Sequence, residues 1–121
     1  MTATTIPHEG CETITITEVE GQPLTAPAVV RVLGEGQDML TLEVTMPAGQ
    51  GSPPHRHDHE SVGYVVRGRV RMRVGDDTTE LGPGDGFVHP AGVEHELMAI
   101  DGEAVWLEVK SPPTRTWERH G

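Results

Sequence analysis

Histidines 55, 57, 59, 89 and 95 carry the strongest chemical signal in the chain. His55, His57 and His59 occupy alternate positions just ahead of an apolar run that begins at Ser61. In extended backbone alternate side chains point the same way, so His55 and His57 bring two imidazoles to one point. His95 opens a later run after Pro90-Ala91-Gly92, and from across a barrel its ring could reach the same point. Three neutral imidazoles with the remaining positions open to water or substrate form a site for one divalent metal ion, and Zn, Ni, Mn, Fe and Cu all suit such donors. The competing reading is a His-rich loop that picks up metal incidentally. His8, His89 and His120 lack this spacing and read as surface or hydrogen-bonded residues.

Glu108 is the candidate catalytic group. It alternates with Trp106 and Lys110, against Leu107 and Val109, so Trp106, Glu108 and Lys110 share one strand face. If that face lines the interior, Glu108 could serve as a general base; if not, it is an ordinary solvated residue. Nucleophilic hydrolysis finds no support, because no Ser sits in an elbow between glycines and Cys11 has no base paired with it. Cys11 reads as an incidental thiol near a flexible N-terminus.

The elements that must position these groups are strands. Ile14 and Ile16 alternate with threonines over Thr13–Val19, and Ala28–Leu33 is a second candidate. Leu40, Leu42, Val44 and Met46 share one face of a strand from Met39 to Met46, which Pro47 ends. Ser61–Val66 is apolar enough to be buried on both faces. After Gly68, Val70, Met72 and Val74 alternate with Arg69, Arg71 and Arg73, so these two runs read as antiparallel strands turning at Gly68, with the arginines on a solvated face. Gly75-Asp76-Asp77 and Asp101-Gly102 are hairpin signals, Gly82–Gly86 is a longer loop, and His95–Ile100 and Glu103–Val109 complete the set. Some eight or nine short strands without a helical period imply an all-β sandwich or barrel. Ser111–Gly121 reads as an extended arm that packs across the barrel or a partner subunit, with Trp117 as an interface anchor.

With 121 residues the chain is sized for one domain spanning 1–121. Its formal net charge of −10 is the wrong sign for nucleic acid or an anionic membrane surface. No run approaches the roughly 20 apolar residues of a membrane span, and the start lacks a signal-peptide pattern. With a single cysteine, this points to a soluble cytoplasmic protein whose partner is a small molecule.

Two spaced motifs then point to a family. Gly49-Gln50-Gly51-Ser52-Pro53-Pro54-His55-Arg56-His57, followed by Tyr64-Val65-Val66 and Gly68, resembles the first motif of the cupins. Gly84-Asp85 leading to Pro90-Ala91-Gly92-Val93-Glu94-His95 resembles the second. The resemblance covers Met39 to Val109 and implies a cupin jelly-roll β-barrel, one divalent metal on His55, His57 and His95, and a homodimer. The family's usual fourth ligand, a Glu, is matched here by Ser61, with Glu60 one residue out of register; His59, Glu60, Ser61 and water are the candidates for that position. Ala99 stands where the second motif often ends in Asn.

His55 to Glu60, Tyr64-Val65 and Ser111-Pro112-Pro113 further resemble the pectin-degradation cupins that linearise unsaturated uronic acids. Those relatives use Gln as fourth ligand, and near the C-terminus an Asp, an aromatic and an Arg; the matching positions here are Ser61, Glu108, Lys110 and Thr114, with Arg115 adjacent. The resemblance implies a metalloenzyme, an isomerase or ring-opening enzyme acting on a sugar acid or similar carbonyl compound. A metal-dependent dioxygenase and a non-catalytic barrel that holds a small ligand or metal are the alternatives.

Overall fold

The structure, a computed structural model, describes residues 6–118. Its strands are β1 (Glu12–Val19), β2 (Gln22–Glu35), β3 (Leu40–Met46), β4 (Gly51–His55), β5 (Glu60–Arg67), β6 (Val70–Val74), β7 (Asp77–Leu81), β8 (Gly86–His89), β9 (His95–Ala99) and β10 (Ala104–Ser111). Short 3-10 turns lie at His8–Gly10 and Thr116–Glu118. Among the described residues no helix is long and apolar enough to cross a membrane.

The strands form two antiparallel sheets packed face to face, a jelly-roll barrel. The larger has the order β1-β2-β3-β10-β5-β8 and the smaller β4-β9-β6-β7. The period-2 pattern explains the packing: in β3, Leu40, Leu42, Val44 and Met46 are buried and the intervening Thr41, Glu43 and Thr45 lie on the outer face. These meet Val30, Val65, Val70, Leu97 and Trp106 in one core between the sheets. Each such aliphatic side chain contributes roughly 1.5–3 kcal/mol by leaving water.

The structure corrects several sequence expectations. β5 and β6 do not pair: β5 lies between β10 and β8, and β6 between β9 and β7. Gly68 therefore carries the chain from one sheet to the other. Asp101-Gly102 makes the same kind of crossing between β9 and β10, whereas Gly75-Asp76 is a true hairpin joining β6 to β7. β5 is buried on one face only; Val65 is inside, but Val62, Tyr64 and Val66 are exposed. Arg69 and Arg71 face outward as expected, while Arg73 is half-buried between Glu94 and Glu96. Cys11 is buried, its Sγ 3.4 Å from the Pro7 carbonyl oxygen.

Gly68 has φ +79°, and a Cβ there would meet the Glu103 carbonyl oxygen and lie 2.8 Å from Ala104 Cα. Neither backbone atom can move without opening the corner. Gly68→Ala should therefore lower the unfolding free energy by about 2–4 kcal/mol in urea denaturation. Gly102→Ala, at φ +82° but with open space around the added carbon, should cost only about 1–2 kcal/mol.

Candidate metal centre and cavity

β4 pairs with β9 so that His55 stands opposite His95, and the two rings come within 4.3 Å, centroid to centroid. The pairing is irregular between Ser52 and His55, where Pro53 and Pro54 cannot donate to the ladder. His57 lies just past the end of β4. Its carbonyl accepts the Gly92 N–H at 2.8 Å, which ties this loop to the turn leading into β9. That link sets the His57 ring 4.8 Å from His55 and 4.9 Å from His95. One ligand nitrogen from each of the three lies within 4.8 Å of the others, and all three residues are buried.

The hydrogen bonds select which nitrogen faces inward. His55 Nδ1 is 2.8 Å from the Pro53 carbonyl oxygen, and His95 Nδ1 is 3.2 Å from that of Val93. A carbonyl only accepts, so both Nδ1 atoms carry the proton and each Nε2 keeps a lone pair. His57 Nδ1 lies 3.2 Å from Glu20 Oε1, within ion-pair reach though not aligned as a hydrogen bond. Burial holds all three rings below the ordinary histidine value, His95 at about 3. Lys110 and the other imidazoles press His57 down further. The rings are thus neutral near pH 7, the ligand form, with an oxygen beside each Nδ1 as metal-bound imidazoles have. This donor set fits a divalent ion.

Among the fourth-ligand candidates, β5 turns Glu60 outward and Ser61 inward, as a one-residue shift in a strand requires. His59 is buried and stacked on His57, with centroids 4.5 Å apart. His8 is exposed and lies 3.1 Å from Glu43, and His120 falls outside the described residues. His89 is of the hydrogen-bonded kind: β8 buries it against His95, rings stacked at 3.9 Å, with Ser61 Oγ 3.5 Å from Nδ1 and Met72 Sδ 3.1 Å from Nε2. Its alternation with Phe87 about the exposed Val88 was a usable signal, but over four residues only.

The facing wall comes from the larger sheet. Trp106, Glu108 and Lys110 occupy the inner face of β10 and are all buried. The Trp106 Nε1–H donates to Glu108 Oε1 at 2.8 Å. Lys110 Nζ sits 3.9 Å from Glu108 Oε2 and donates to Thr116 Oγ1 at 3.2 Å. Burial alone would push the Glu108 carboxyl up, but the Lys110 ammonium and the Trp106 N–H outweigh it and hold it below the ordinary value. Glu108 is a buried, ionised carboxylate in the cavity that the three imidazoles also line.

The chain after β10 folds back over its own barrel. The Thr116 carbonyl accepts the Glu20 N–H at 3.0 Å, and Arg115 bridges Glu12 and Glu35 on β1 and β2. Trp117, expected at an interface, packs against the core and lines the cavity.

Residues 42–110, more than half of the chain, match the family Cupin_2, the Cupin domain, and the chain belongs to that family. A curated dimethylsulfoniopropionate lyase, DddQ, of Ruegeria pomeroyi is 32% identical over 76 residues, which is 58% of this chain and 38% of the lyase. The chain spans less than two thirds of the length of the curated relatives it matches. Among solved structures, KdgF from Halomonas sp. is 26% identical, with a TM-score of 0.69 over 72% of this chain and 82% of that one. An RmlC-like cupin from Shewanella frigidimarina shares the fold, with a TM-score of 0.76 at 22% identity over 94% of this chain and 95% of that one.

Proposed function

We propose that this cupin is a metal-dependent enzyme that moves a proton on a small carbonyl or carboxylate compound. His55, His57 and His95 hold one divalent ion, and Glu108 is the general base. One observation carries the reading: a single cavity presents three neutral imidazoles on one wall and a buried ionised carboxylate on the other. A bound divalent ion would supply Lewis acidity toward a carbonyl or carboxylate oxygen of the substrate. Glu108 takes a proton from the carbon next to that group, and Lys110 and Trp106 hold its carboxylate ionised and oriented. Return of the proton elsewhere gives isomerisation or ring opening; departure of a group from the neighbouring carbon gives elimination. The lyase among the relatives and the resemblance to uronate-linearising cupins both support acid–base chemistry of this kind.

The test is metal content by elemental mass spectrometry on protein purified without an affinity tag. The wild type should carry or take up about one equivalent of a divalent ion, and His57→Ala and His95→Ala should lose it. A wild type that binds none of zinc, nickel, manganese, iron or copper when supplied would sink the reading.

A further inference from the structure

The cavity has a volume of about 60 Å³. Its polar groups are few. Beyond the imidazoles they are Ser52, Glu108, Lys110 and Thr116, and most of the remaining wall is hydrocarbon. A sugar acid brings a hydroxyl on nearly every carbon, and each would lose its water against that wall without a partner.

Lys110 stands out among the polar groups. It is 3% exposed and lines the cavity. Its Nζ forms an ion pair with Glu108 Oε2 at 3.9 Å and donates to Thr116 Oγ1 at 3.2 Å, so the ammonium is fixed at the cavity wall. With a divalent ion bound, the ion and Lys110 outweigh Glu108 and Glu20 by one positive charge, in a chain whose net charge is −10. Such a pocket attracts a single anionic group.

We infer that Lys110 anchors the carboxylate of the substrate, and that the substrate is a compact monocarboxylate with a hydrocarbon body rather than a sugar acid. The reaction such a compound undergoes rests on the metalloenzyme reading above; its binding does not. The ammonium provides a charge-assisted hydrogen bond at one end of the cavity, and the ligand's hydrocarbon lies against Leu24, Val30 and Val44. A Lys110 with a structural role alone would neutralise Glu108 and pin Thr116 without favouring any ligand charge.

Both tryptophans of the chain, Trp106 and Trp117, line the cavity, so intrinsic fluorescence reports on it directly. The zinc-loaded full chain is titrated with butanoate, with the neutral butanamide of the same shape, and with galacturonate. Butanoate should bind about tenfold or more tightly than butanamide, and galacturonate should not compete with it. Lys110→Met should erase the preference for the acid at unchanged zinc content. Lys110→Arg should keep it, which separates loss of charge from misfolding.

The titration is repeated after EDTA treatment, where the preference should persist in weaker form. A preference that vanishes with the metal makes the ion the anchor, which overturns this inference and leaves the metalloenzyme reading standing. Protein that takes up no zinc yet prefers butanoate does the reverse. Unchanged preference in Lys110→Met, no butanoate binding, or galacturonate bound as tightly as butanoate also overturns the inference.

Discussion

Glu108→Gln should slow proton transfer roughly 10²- to 10⁴-fold, the range a positioned general base supplies, while leaving the metal content at the wild-type level. The amide keeps the shape of the carboxyl and can still accept the Trp106 N–H, so what it removes is basicity and charge. A readout that does not depend on knowing the natural substrate is exchange of the methyl hydrogens of pyruvate in D₂O, followed by proton NMR. Pyruvate is small enough for the cavity and carries both a carbonyl and a carboxylate. Removing one member of a buried pair leaves Lys110 without its counter-charge, a loss of about 3–5 kcal/mol in typical cases, so folding must be verified by thermal melting. Glu108→Asp provides the control: it keeps the charge, shortens the reach, and should fall between the wild type and Glu108→Gln. Exchange in folded Glu108→Gln at the wild-type rate would reduce Glu108 to a structural partner of Lys110 and Trp106.

The strands that could be read from the sequence are largely the interior ones. β3, β5, β6, β9 and β10 each have a strand on both sides, and all were visible as alternation or as apolar runs. The unread strands β4, β7 and β8 all lie at sheet edges. β4 is Gly-Ser-Pro-Pro-His, tolerable only where half the ladder is unpaired, and β7 carries mostly exposed polar residues. An edge strand needs little burial, so it writes little periodicity. The errors in pairing at Gly68 and Asp101-Gly102 have a related cause: a tight turn signal marks a reversal but not whether the chain returns to the same sheet.

The same logic governs the site. His55, His57 and His95 were legible because their spacing holds in any extended backbone, and the pairing of β4 with β9 supplies the rest. Whether Glu108 faced inward was undecidable from β10 alone, since both of its faces carry large side chains: Trp106, Glu108 and Lys110 on one, Val105, Leu107 and Val109 on the other. Packing decides it: Trp106, Glu108 and Lys110 are buried, whereas Leu107 and Val109 on the other face are half-buried. The burial of His89 beside His95 is not legible because β8 is a short edge strand. Ser52, Thr116 and Trp117 reach the cavity only through tertiary folding that leaves no local pattern.

Stability of the metal-free protein should be nearly level above about pH 7.5 and fall increasingly steeply below it. Burial holds His55, His57, His89 and His95 below the ordinary value of 6.5 in the folded state, His95 down to about 3. Above about pH 7.5 the rings are almost wholly neutral whether the chain is folded or not, and they contribute little pH dependence. Below it the unfolded chain takes up protons that the folded chain refuses, and each ring contributes up to about 1.4 kcal/mol per pH unit in favour of unfolding until its folded value is reached. Several rings acting together can exhaust the roughly 5–15 kcal/mol of a typical domain within a few pH units. Glu108, also held low, extends the loss below its ordinary value of 4.5. Urea denaturation of EDTA-treated protein at half-unit steps measures the slope. His89→Phe, which leaves the three proposed ligands in place, should flatten it by about one histidine's share. Zinc should raise the curve near neutrality and steepen its acid limb, because protons compete with the ion for the same nitrogens. A curve that stays level to about pH 4.5 would mean that the folded protein protonates these rings as readily as the unfolded chain, and the neutral imidazole cluster would not exist in solution.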